Sequence, residues 1–241
     1  MHADTLSRPQ QLDFSDARDL ADLKNFVTRA KSIQDSGLRL QAAGPVLLAS
    51  VCVLRPAVLG EATPTVLGLR TIALNTPAEL DVTVPLSAVL DRVARDPEAS
   101  RLEIPPATVR ESWAGIGVPR GPWEPVASID PSALRAAAEE GIARVAGVLP
   151  DSPGALIVNN ARAAVWGETF DGGWTLEPGD TGESARELPL GAAFAAHALG
   201  FLRESPLRAG EPARLFRHGT WWRLSTAVGH VLVRRAARLG G

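Results

Sequence analysis

The 241-residue sequence has no tyrosine, one cysteine and one methionine, and of its 25 basic residues only Lys24 and Lys31 are lysine. A single cysteine excludes an intramolecular disulfide. Cys52 lies in the apolar run 46–54 and reads as a buried thiol in a reducing compartment. Scarce lysine and tyrosine beside abundant alanine, glycine, arginine and proline is what GC-rich codons produce, so the preference for arginine points to a bacterial high-GC genome before it points to a function. The most apolar stretches, 44–54 and 188–202, fall short of the roughly 18–20 residues that a spanning helix needs, so no membrane association is expected. Residues 1–11 carry His2, Asp4 and Arg8 and no apolar core before a small-residue cleavage site, which predicts a cytoplasmic chain without a secretory signal.

Groups that usually carry chemistry are sparse as well. The histidines are His2, His197, His218 and His230, without the paired spacing of a zinc site, so no metal is expected, nor any other cofactor. No GxSxG elbow, GxxxxGK[ST] loop or GxGxxG after a strand occurs, and no catalytic residue is assigned. The alternative is an enzyme with an unrecognised site near His197. An imidazole titrates near neutrality, and Glu168, Asp171, Asp180 and Glu183 in the preceding loop are candidates to orient it.

What is present is a globular composition, 45% hydrophobic and 22% charged, which excludes disorder, collagen and coiled coil for the chain as a whole. Leu20, Leu23, Val27 and Ala30 form one stripe of a helix over 16–33, with Ser15 as its cap and Gly37 as its stop. Branched runs at 46–54 and 65–74 and a short one at 80–84 read as strands. Pro85 then opens a helix to about residue 95. Residues 101–125 are rich in proline, glycine and tryptophan and form a packed connector between an α+β half at 1–100 and a second at 126–241. The second half reads as a helix from Asp130-Pro131 to about 148 with Leu134, Ala138, Ile142 and Val145 inward, strands at 155–158 and 163–166, and an acidic glycine-rich loop at 168–187. A small-residue helix after Pro189 and a meander at 213–218, 221–225 and 230–234 complete it. The predicted class is α+β, with largely antiparallel sheets and about four helices; parallel α/β is the alternative. The pentads Val84-Pro85-Leu86-Ser87-Ala88 and Leu188-Pro189-Leu190-Gly191-Ala192 hint at two similar halves, although five positions are too few to establish a duplication.

The net charge of −2 gives no bulk reason for a polyanionic partner. Its distribution does: residues 101–202 hold 7 basic and 13 acidic groups, whereas 203–241 hold 8 and 2. If His218-Gly219 is the hairpin turn, alternation puts Ala213, Leu215, Trp222 and Leu224 on one face, to be covered by a helix. Arg214, Phe216, Trp221 and Arg223 share the other, with the two arginines directly opposed and in need of an anion. Arg217, Arg234 and Arg235 extend this candidate binding surface. The reading is a non-catalytic binding protein that docks an acidic protein surface or a second subunit, as in a homodimer. Nucleic acid, stacking on Phe216 and Trp221, is the alternative partner. Pairing of the arginines with the 168–187 loop would instead make the face purely structural.

Overall fold

The computed structural model describes residues 10–57, 61, 63–119, 121–202 and 211–235. It is an α+β protein with a large antiparallel sheet, and six α-helices occur among the described residues. Contacts divide the chain into two compact units, Met1–Val51 with Arg70–Gly115, and Cys52–Leu69 with Ile116–Gly241.

The first unit opens with β1 (Gln11–Asp13) and α1 (Ala17–Ile33). Asp16, not Ser15, caps α1, its carboxylate accepting from the Arg18 amide. The predicted stripe Leu20, Leu23, Val27 and Ala30 is buried, joined by Phe26. Gly37 does not stop this helix, which ends at the extended Gln34; it begins β2 (Gly37–Leu54), where a Cβ would stand 2.7 Å from Thr83 Cγ2 and 2.9 Å from Val109 Cγ2. The next strand, β3 (Thr65–Pro85), joins the two runs that the sequence pattern separates, and α2 (Leu86–Arg95) follows it with Pro85 as N-cap. α2 packs on α1 and buries Leu86, Val89 and Val93. β4 (Arg101–Glu103) returns to β1 as a two-stranded antiparallel sheet, and Trp113 is fully enclosed in a 3-10 turn.

Within this unit Arg39 grips Asp81 through two hydrogen bonds of 2.9 and 2.8 Å, and Gln41 adds a third at 3.2 Å. These bonds, Arg39 first, hold the Asp81 carboxyl below the usual carboxylate range. A group whose pKa falls on folding stabilises the native state above its unfolded pKa and ceases to do so as the pH drops through the folded value. Asp81→Asn is therefore expected to lower the urea midpoint at neutral pH, with the gap to wild type narrowing below about pH 4. A gap unchanged from neutrality into acid would show that the ion pair contributes nothing.

The second unit contains β5 (Glu124–Ile129), α3 (Pro131–Gly147), α4 (Ala155–Gly167), β6 (Trp174–Leu176), the single turn α5 (Glu183–Arg186), α6 (Gly191–Ala198), β7 (Ala213–His218), β8 (Trp221–Ser225) and β9 (His230–Arg234). Its order partly repeats the first unit: a strand, an aspartate N-cap, a 17-residue helix, then a second helix packed on the first and entered through one of the proline pentads. The strand order of the large sheet is β2-β3-β9-β8-β7-β5-β6.

Two local predictions fail here. Residues 155–158 and 163–166 are not strands but the two ends of α4. Leu156 and Ile157 are exposed, so the apolar run that suggested a buried strand leaves its two largest side chains at the surface. On α3, Ile142 points outward and Gly141 takes the inward place, because the Trp166 ring of α4 occupies the space where a Cβ at 141 would stand.

Candidate binding face of the C-terminal meander

The hairpin β7–β8 turns on Gly219-Thr220, with His218 opposite Trp221, one residue further along than predicted. Gly219 has φ +56° and sits first in the turn, where a two-residue hairpin requires positive φ. A turn on His218-Gly219 would have demanded that geometry of histidine. The shift moves every pair yet leaves each residue on its predicted face, because the partner sum changes by an even number.

Ala213, Leu215, Trp222 and Leu224 accordingly form the buried face. α6 packs against β9 and α3, and the Trp222 indole donates to the Ser184 carbonyl of α5 at 3.0 Å. The 168–187 segment is more ordered than an acidic loop: β6 pairs with β5 and α5 covers Trp222.

On the opposite face Arg223 is paired with Phe216, and Arg214 with Ser225, so the predicted direct opposition of two arginines does not occur. The Arg223 guanidinium lies over two rings, 4.6 Å from the centroid of Phe216 and 4.8 Å from that of Trp123. Arg214 approaches Phe216 from its other neighbour at 5.3 Å. Trp123 also meets His218 at a centroid distance of 5.7 Å, and His218 Nδ1 is 2.6 Å from the Pro122 carbonyl oxygen. Trp123, which flanks β5, is the residue that sequence reasoning left out of the face. Its only signal was its place two residues before Pro125, in a segment read as connector.

The seven residues predicted for this surface are not all brought together. Arg214, Phe216, Trp221, Arg223 and Arg234 share a face, whereas Arg217 and Arg235 approach the Trp222 ring at 5.7 and 5.9 Å, on the other side of the sheet. Trp221 is buried at 6% exposure, with Arg234 at 6.0 Å from its ring, while Phe216 is half-exposed. The acidic segment partly neutralises the cluster, since Glu177 lies 3.6 Å from Arg214 and Glu187 lies 2.7 Å from Arg235. Arg223 differs. Its Nε is enclosed without a hydrogen-bond partner, no carboxylate among the described residues pairs with it, and burial pushes its guanidinium below the ordinary arginine value. Arg203, Arg208 and Arg238, which contribute to the basic end, lie outside the described residues.

The histidine alternative finds less. His197 stands half-buried on α6, His230 Nδ1 is 3.0 Å from Ser225 Oγ, and Glu168 is engaged by Arg144 through both oxygens rather than by an imidazole. Among the described residues no group of three histidine, cysteine or carboxylate side chains is placed to hold a metal, and no helix is long and apolar enough to cross a membrane.

Among solved structures, this architecture resembles in fold that of DNA sliding clamps. The chain superimposes on a DNA polymerase sliding clamp from Caulobacter crescentus with TM-score 0.50 and 13% identity, over 97% of this chain and 66% of that one. It matches a chain described as a DNA polymerase III beta subunit, from Eubacterium rectale, with TM-score 0.50 and 7% identity, over 95% of this chain and 66% of that one. It thus spans just under two thirds of the length of either protein. No curated protein matches the sequence. The chain belongs to the family described as Domain of unknown function (DUF8185), whose profile covers residues 118–238; a second profile, Domain of unknown function (DUF8010), matches residues 7–115.

Proposed function

We propose that this chain is a non-catalytic binding protein of the bacterial cytoplasm, whose partner surface is the arginine and aromatic face of the meander, centred on Arg223 between Phe216 and Trp123. The partner is an acidic surface of another protein or of a second copy of this chain. The unpaired Arg223 carries this reading. An enclosed guanidinium Nε without an acceptor is destabilising in the free protein, and an anionic group at the Nη atoms, which are not enclosed, offsets the cost of holding the charge there. Arg214 and Arg234 extend the positive face, and the half-exposed Phe216 offers the kind of aromatic anchor enriched at interfaces. The buried Cys52, the sequence's single cysteine, suits a reducing compartment.

Nucleic acid is the second reading, favoured by the likeness in fold to a clamp named for DNA polymerase. Capture of partners from the source cells by the tagged full chain, with and without nuclease, separates the two. The protein reading expects a co-purifying protein that survives nuclease and is lost from the Arg214→Glu/Arg223→Glu variant. Loss on nuclease treatment alone moves the assignment to nucleic acid. Identical capture by wild type and the double variant, or none by either, overturns both.

A further inference from the structure

The first unit holds an open groove of about 850 Å³, within the range of roughly 300–1,000 Å³ typical of ligand sites. Gln10 and Gln11 lie along it, Glu103 and Arg92 carry its charges, and Ile104 and Pro105 are its buried apolar members. Three separate elements supply these residues: β1, the last turn of α2, and the end of β4. The Ile104 amide donates to the Gln10 carbonyl at 2.8 Å, so the two strand ends are tied to each other.

Arg92 is the informative residue. Its Nη1 donates to the Ala88 carbonyl of its own helix at 3.2 Å, while its Nε is enclosed and has no acceptor. No carboxylate among the described residues pairs with it. Glu103 lines the same groove, so a simple anion meets repulsion as well as attraction. A ligand that carries a carboxylate and, a short distance away, an N–H donor satisfies both charges at once. The carboxylate accepts from Arg92 Nη2, the guanidinium nitrogen that is neither enclosed nor engaged by the Ala88 carbonyl. The N–H donates to Glu103. Pro105 has no backbone N–H of its own to compete for the ligand, and together with Ile104 it gives an apolar side chain somewhere to rest.

We infer that this groove is a binding site for the free carboxyl end of a peptide, laid in extended form with its terminal carboxylate on Arg92, an amide N–H on Glu103 and an apolar side chain against Ile104 and Pro105. The site involves none of the residues of the meander face, so it stands whether or not that face binds a partner.

The test uses the full chain labelled with 15N and two probes, acetyl-Ala-Leu-Ala as the free acid and as its C-terminal amide. The free acid is expected to shift the Arg92 Nε–H and the Gln10 and Gln11 side-chain amide signals, with a dissociation constant in the range of about 1 mM or tighter. The amide should bind at least about tenfold more weakly, a difference near 1.4 kcal/mol. Arg92→Gln should abolish the preference for the acid, while the rest of its spectrum reports that the fold is kept. Equal binding of acid and amide, shifts that map elsewhere, or no shift at about 10 mM probe, far above that constant, overturns the assignment.

Discussion

Trp166→Ala is expected to destabilise the second unit by about 3–5 kcal/mol, the range for truncating an enclosed aromatic side chain. Trp166 is 2% exposed and is the point at which three helices meet. Carried by α4, it stacks on Phe194 of α6 with centroids 4.4 Å apart and planes 17° from parallel. Its ring also lies against α3 at Gly141, where an added Cβ would fall 2.2 Å from Cζ3, and its carbonyl oxygen lies 3.1 Å from a Cβ built at Gly191. Trp166 thus leaves no room for a Cβ at Gly141 and approaches tightly at Gly191. Gly141→Ala gives an independent reading of the same contact. In an unconstrained helix the change gains up to about 1 kcal/mol, whereas here overpacking against a rigid buried ring is expected to reverse the sign, with a loss of about 1–3 kcal/mol. Urea unfolding followed by far-ultraviolet circular dichroism measures both. A loss under about 1 kcal/mol for Trp166→Ala, or a gain for Gly141→Ala, would mean that this ring does not hold the three helices together.

That contact also shows where reading the sequence stops. Helical periodicity nominates the apolar Ile142 for the core of α3, and nothing local announces that a ring 25 positions downstream needs the neighbouring glycine's space. The error at α4 has the same origin: a short apolar run is ambiguous between strand and helix, and Leu156 and Ile157 turn out to be exposed. Elements whose evidence is internal fared better. α1 carries its own stripe, Asp130-Pro131 its own cap, and the meander its own alternation, from which both faces of the C-terminal sheet were legible despite the misplaced turn. Trp123 could not be assigned to the arginine face because its neighbours there come from β7 and β8, and the groove of the first unit draws on three elements with no spacing between them to recognise.

Arg223→Met is expected to abolish binding at the meander face while leaving the unfolding midpoint unchanged or raised. The free protein keeps a desolvated guanidinium between two rings with its Nε unpaired. Methionine fills the same slot, exchanges the cation–π contacts for sulfur–aromatic ones of comparable strength, and removes the burial of an unsatisfied donor. A residue kept for structure should lose stability on this change. One kept for a ligand should lose affinity alone, the usual division between activity and stability at a binding site. The affinity readout is fluorescence anisotropy with the captured acidic partner, or with a labelled single-stranded oligonucleotide if capture proves nuclease-sensitive. A loss of at least about tenfold is expected with either probe, and wild-type affinity for the oligonucleotide should fall steeply with added salt. Trp221→Ala cannot serve as the control, because that side chain is buried and its removal reports on folding. Phe216→Ala, from a half-exposed position on the same face, is the informative companion. A midpoint several degrees lower in Arg223→Met with unchanged affinity would assign Arg223 to the sheet and withdraw the meander from partner binding.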